Sequence, residues 1–169
     1  MRPVLAVTGV VLAADLVSKA WALRQVPSES AASTAIVQLR LVANRGVSFG
    51  VGSQHPGVVV VVALVATLAV GWWLTRAVSA GERVAVAAVL GGALGNLIDR
   101  LANGAVTDWV GVSWYPLTFN LADVAIRGGV LVALVLRQAH LMKSLSGKQL
   151  ATPPGFRTAP RSPRNIYRT

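Results

Sequence analysis

Apolar residues fall in four long runs along the chain, at about residues 4–23, 57–74, 84–101 and 122–141. Each approaches the roughly 20 residues that an α-helix needs to cross the hydrocarbon of a bilayer. Polar positions gather between the runs and at their ends. The pattern predicts a mainly α, integral membrane protein with four transmembrane helices. Between the first two runs, residues 36–42 alternate, with Val37, Leu39 and Leu41 opposed to Gln38 and Arg40, the signature of a strand with one apolar face. Asn44, Arg45 and Gly46 then read as a turn and residues 47–51 as a second short strand. A small periplasmic or extracytoplasmic β-sheet at the membrane surface is therefore expected, while residues 102–119 read as a loop.

Composition supports this class. Of 169 residues, 54% are hydrophobic and 13% charged, against about 25% charged in a soluble domain. The first run, beginning at Arg2, resembles the apolar centre of a signal peptide, but it continues past Asp15 and Lys19 with no small-residue cleavage site. It is read as a retained helix. Absence of cysteine excludes disulfides, thiolate metal sites and a cysteine nucleophile. The net charge of +10 is concentrated beyond the last run, at Lys143, Lys148, Arg157, Arg161, Arg164 and Arg168. Such a segment is better explained by the positive-inside rule and by anionic lipid than by nucleic acid. Arg76 and Arg83 bracket the turn at Ser79 to Gly81 and place it on the same cytoplasmic side. Both termini are then cytoplasmic, residues 1–148 form the membrane domain, and residues 149–169 form a basic tail with the composition of a disordered segment.

Carboxylates at membrane depth are costly, and their default reading is functional. With this topology, Asp15, Asp99, Asp108 and Asp123 all lie toward the outer face, together with Lys19, Asn44, Asn96 and Asn120. An Asn-Leu-x-Asp tetrad occurs at each lip of the 102–119 loop, as Asn96 to Asp99 and as Asn120 to Asp123. In the second, an Asn followed three residues later by an Asp has the form of a helix cap. Asp15 and Lys19, four apart, suit a buried ion pair holding the bundle in register. Gly91, Gly92 and Gly95 form a small-residue helix face for close packing. Arg100 is expected to pair with Asp99 or to reach the headgroups, and Arg127, deeper in the fourth run, needs a partner or water. Neither His55 nor His140 lies near the cluster, and Ser18 and Lys19 point to different helix faces. Two aspartates remain as catalytic candidates, since paired carboxylates keep one proton between them and supply an acid and a base without metal or cofactor. A proton-coupled carrier would hold its charges near mid-bilayer between repeated halves. A non-catalytic lipid-binding subunit is a third reading.

The residues themselves carry a resemblance. Asp15-Leu-Val-Ser-Lys19, Asn44-Arg-Gly-Val-Ser-Phe49, Gly91 to Arg100, Val106-Thr-Asp108 and Phe119-Asn-Leu-Ala-Asp123, in that order, resemble the lipoprotein signal peptidases, or signal peptidase II, over roughly residues 4–141. The resemblance implies an aspartic endopeptidase of the bacterial inner membrane, and a monomer is expected. Its substrates would be prolipoproteins, cut on the N-terminal side of a diacylglyceryl-modified cysteine. It places the catalytic dyad on Asp108 and Asp123, with Asp15, Lys19, Asn44, Arg45, Gly46, Asn96, Asp99, Arg100, Asn120 and Ala122 at supporting or substrate-contacting positions. It implies no cofactor, metal or nucleic-acid partner. Thr107 and Trp109 stand where the family more often has Val and Phe. Asp99, at a helix C-terminus, needs a cation beside it and is expected to be structural. Asp123, in the first turn of a helix, is expected to be the ionised member of the dyad, with Asp108 holding the proton.

Overall fold

In a computed structural model the described residues are 1–26, 36–46 and 54–150. They form α1 (Arg2–Gln25), β1 (Val37–Asn44), α2 (Pro56–Thr75), α3 (Ala80–Asn103), β2 (Val106–Val112), β3 (Tyr115–Phe119) and α4 (Leu121–Leu150). All four helices are long and apolar enough to span a membrane. The last continues past its apolar run into Lys143 to Leu150 because nothing there breaks a helix. Residues 47–51, read as a strand above, lie outside the described residues, as does the tail from 151.

The helices are not equivalent. In α3, 61% of the spanning window is buried, against 11%, 11% and 6% in α1, α2 and α4, so α3 is the axis against which the others pack. Its glycines make this possible. A Cβ on Gly91 would meet the Thr8 carbonyl oxygen of α1 at 2.7 Å, and one on Gly92 would meet the Ala122 carbonyl oxygen of α4 at 2.6 Å. Thr8 Oγ1 adds a hydrogen bond to the Ala87 carbonyl. At its start α3 is capped by Ser79, whose Oγ accepts from the Glu82 N–H at 3.1 Å. It ends at Gly104, held at φ 68°, a left-handed conformation that glycine adopts without a Cβ penalty.

Glu82 is completely buried, a point the sequence reading passed over. Its carboxylate accepts from Trp73 Nε1 at 3.0 Å, from the Val78 N–H at 2.8 Å and from Arg137 at 3.0 Å. One acid thus ties α2, its turn, α3 and α4 together at the end of the bundle opposite the sheet.

That sheet differs from the expected one. Its strand order is β1-β2-β3, all antiparallel, so β1 pairs with a hairpin from within residues 102–119, which were read as a loop. Asp108 is consequently a strand residue, opposite Val42 in the register. Its side chain is 1% exposed. Val37 and Leu39 point away from the bundle and are exposed, whereas Arg40 lines a cavity beneath the sheet and donates to Thr118 Oγ1 at 2.8 Å. Val42, Ala43, Val106 and Leu117 line the same cavity, so the apolar residues of the sheet are divided between its two faces. The edge-on contact of Trp21 with Trp109, with centroids 5.5 Å apart, seats β2 on the end of α1.

Candidate active site

The site grows from the buried ion pair of α1. Lys19 Nζ lies 2.7 Å from Asp15 Oδ2 and 3.4 Å from Asp99 Oδ2, and it donates to Asn96 Oδ1 at 2.9 Å. A Cβ on Gly95 would collide with Asp15 Oδ2, so this approach of α1 to α3 requires glycine there. The other Asp15 oxygen accepts the Ala122 N–H at 2.9 Å. It satisfies a donor at the first turn of α4 that the helix itself leaves unpaired. Ala122 is completely buried. Asp15 and Lys19 therefore join three helices at one point.

From Lys19 outward the amide orientations are fixed by chemistry. An ammonium only donates, so Asn96 must turn its oxygen to Lys19 and its nitrogen away, where it donates to Asp123 Oδ1 at 3.0 Å. Asn120 caps α4, its Oδ1 accepting the Asp123 N–H at 2.9 Å. Its nitrogen is then left to donate to Asp108 Oδ1 at 2.7 Å and to Asn96 Oδ1 at 3.2 Å. The two Asn-Leu-x-Asp tetrads are thus cross-wired: the Asn of the first holds the Asp of the second, and the Asn of the second holds Asp108. Asn44 completes the set, donating from Nδ2 to Asp108 Oδ2 at 3.0 Å while its Oδ1 accepts the Gly46 N–H. It is a turn residue and a carboxylate ligand at once.

Asp99 is turned elsewhere. Its oxygens accept the Thr107 N–H at 2.7 Å and Asn103 Nδ2 at 2.9 Å, so it fastens the end of α3 to the start of β2. Arg100 makes no ion pair with it and does not reach outward, in contrast to the expectation. The guanidinium is buried and donates to the carbonyls of Asn96 and Gly46, while the Asp99 carboxylate is already filled by Thr107, Asn103 and Lys19. Arg45 is exposed at the rim.

Asp108, Asp123, Asn44, Asn96, Arg100 and Gly46 line one cavity of about 740 Å³ beneath the sheet and between α2, α3 and α4. Burial pushes the Asp108 carboxyl up to about 6; hydrogen bonds from Asn44 and Asn120 oppose this, and the neighbouring Asp123 adds to it. A carboxyl that keeps its proton to this pH beside a second carboxyl is an acid–base pair in the making. Four spanning helices closed over such a pair define the class as a multi-pass membrane protein with a two-carboxylate centre.

Comparison with known proteins narrows the class. The family model for signal peptidase (SPase) II matches residues 7–138. A lipoprotein signal peptidase of Mycobacterium avium is 33% identical over 144 residues, covering 80% of this chain and 79% of its own length. One of Methylobacterium radiotolerans is 45% identical over 97 residues, 52% of this chain and 56% of its own. A solved bacterial membrane enzyme superposes with a TM-score of 0.74 over 90% of this chain and 94% of its own, at 21% identity, which speaks to the fold. The chain belongs to the signal peptidase II family, and membership carries the activity for which the family is named, proteolytic removal of signal peptides.

Proposed function

We propose that the chain is an aspartic endopeptidase that removes signal peptides from bacterial prolipoproteins, cutting on the N-terminal side of a diacylglyceryl-modified cysteine, with Asp108 and Asp123 as the catalytic dyad. The observation that carries the assignment of the dyad is the cross-wiring by Asn96 and Asn120. It turns these two carboxylates onto one cavity and leaves Asp99 and Asp15 engaged in structure.

The chemistry follows from the pair. Asp123 takes a proton from water as the water oxygen bonds to the scissile carbonyl carbon, and Asp108 gives its proton to the carbonyl oxygen. In the resulting diol the C–N bond breaks as Asp123 returns its proton to the departing nitrogen. One diol hydroxyl restores the proton of Asp108. Arg100, at the cavity wall with its Nε unpartnered among the described residues, offers a cation to the oxygen on which charge develops. Both carboxylates come from one chain, so a monomer suffices.

The pH profile tests the assignment. The dyad titrates as a pair, and loss of its second proton is expected to set the alkaline limb of kcat/KM at about 6, the value to which Asp108 is raised. Asn44 and Asn120 hold the ionised form, so Asn44→Ala should move that limb upward, toward higher pH. A limb that stays in place or moves down would refute Asp108 as the acid.

The proposed setting is the bacterial inner membrane with the sheet end outward and the basic tail cytoplasmic. The chain lacks cysteine, so single cysteines at Ala80, Ala102 and Ala159 report sidedness to an impermeant thiol reagent. Only Ala102→Cys should label from outside; external labelling at position 80 would invert the topology.

A further inference from the structure

Arg127, exposed like Arg45 on the same cavity, differs from the arginines that find a partner within the bundle. Arg40 is bonded to Thr118, Arg100 to two carbonyls and Arg137 to Glu82, and Arg76 lies over the Trp72 ring. Arg127 has no hydrogen-bond or ion-pair partner among the described residues, yet it lines the same cavity as Asp108 and Asp123. It follows Asp123 by one helical turn, on the same face and about 6 Å further from the sheet. A guanidinium keeps its charge at any working pH, and inside a membrane such a group needs an acceptor.

The cavity says what kind. Besides Arg127 of α4, the cavity is lined by Ala63, Ala66 and Thr67 of α2 and by Ala93 of α3. Thr67 is already bonded to the Ala63 carbonyl. These are small side chains, and beyond them Val70, Trp73 and Leu74 of α2 pack against the cluster of Ala85, Val86 and Ala133. A signal peptide lying in the cavity with its N-terminus at the cytoplasmic side would bring its scissile bond to the dyad. Its preceding helical turn would then lie at the depth of Arg127. The last four carbonyls of a helix have no partner within the helix, and that end carries the negative pole of the macrodipole. A lipid phosphate fits less well, because headgroups lie at the interface and Arg127 lies deeper than the dyad.

We propose that Arg127 is a positioning residue that receives the backbone carbonyls ending the signal-peptide helix, just N-terminal to the scissile bond. This rests on the prolipoprotein reading above. The test uses the full chain in nanodiscs and a diacylglyceryl-modified precursor peptide, comparing Arg127→Leu, Arg127→Gln and Arg127→Lys with the parent at equal folded abundance. Parental cleavage is the control for the prolipoprotein reading, so its failure is distinct from failure here. KM should rise about tenfold or more for Leu and Gln, chiefly in KM rather than kcat, with substantial recovery by Lys and no shift of the pH profile. The same rise should be present in phosphatidylcholine alone and with phosphatidylglycerol added. An unchanged KM for Arg127→Leu overturns the proposal. A rise seen only with phosphatidylglycerol also overturns it, in favour of a lipid phosphate.

Discussion

Asp108→Asn and Asp123→Asn are each expected to reduce turnover of a lipid-modified precursor by at least about 10³-fold, within the range that general acid–base groups supply, while the protein accumulates in the membrane at parental level. Each change is isosteric and keeps most hydrogen-bonding capacity. The amide oxygen left at position 108 can still accept from Asn120 or Asn44, and the one left at position 123 from Asn96, so the cross-wiring loosens without collapsing. Asp99→Asn should behave in the opposite way. Its carboxylate fills three demands, from Thr107, Asn103 and Lys19, and one amide oxygen cannot meet them all. Stability should fall by about 1–3 kcal/mol, the cost of an unsatisfied buried group, with turnover per folded molecule largely retained. Turnover by purified, quantified protein is the measurement, and an abundant Asp108→Asn enzyme cleaving at the parental rate would transfer the dyad to Asp99 and Asp123.

Lys19→Met is expected to be the most destabilising single change to the bundle. Lys19 is 3% exposed and its one ammonium serves Asp15, Asp99 and Asn96. Methionine fills the volume but leaves two buried carboxylates facing no cation. Removing one partner of a buried pair costs roughly 3–5 kcal/mol, which for a chain of this size lowers Tm by more than about 6 °C. Arg24→Met, on the same helix but exposed, should leave Tm within a degree or two. Thermal unfolding in detergent compares them, and equal Tm values would show that Asp15 and Asp99 are neutralised some other way.

The helices and the cap at Asn120 were legible because their signals are local: an apolar run, an i,i+4 charge pair, an Asn three residues before an Asp. The hairpin was not. Val106 to Trp109 does alternate buried and half-buried positions before the phase shifts at Val110, with Asp108 on the buried side, but a charged residue there makes the pattern read as loop. Its partner β1 is more than 60 residues away, so no local signal names it. Glu82 was missed for a related reason. Ser79 and Glu82 have the spacing of a capping box, which was there to be read, but Arg137, which completes the clasp, is 55 residues distant. Arg100 was misjudged because its acceptors are backbone carbonyls, which every residue has and no sequence advertises.

The ion pair of α1 also bears on how the protein is made. Synthesis runs from the N-terminus, so α1 meets the bilayer before Asn96, Asp99 or the Ala122 N–H exists. A lone Asp or Lys at the centre of a helix opposes insertion by roughly 2.5–3.5 kcal/mol. Because Asp15 and Lys19 are one turn apart and close on each other, these two charges of α1 can enter lipid already paired. When α3 and α4 follow, the pair opens its remaining valences to them, Lys19 toward Asn96 and Asp99, Asp15 toward Ala122. A spacing of four residues thus serves twice, first to neutralise two charges within one helix and then to anchor two further helices to it.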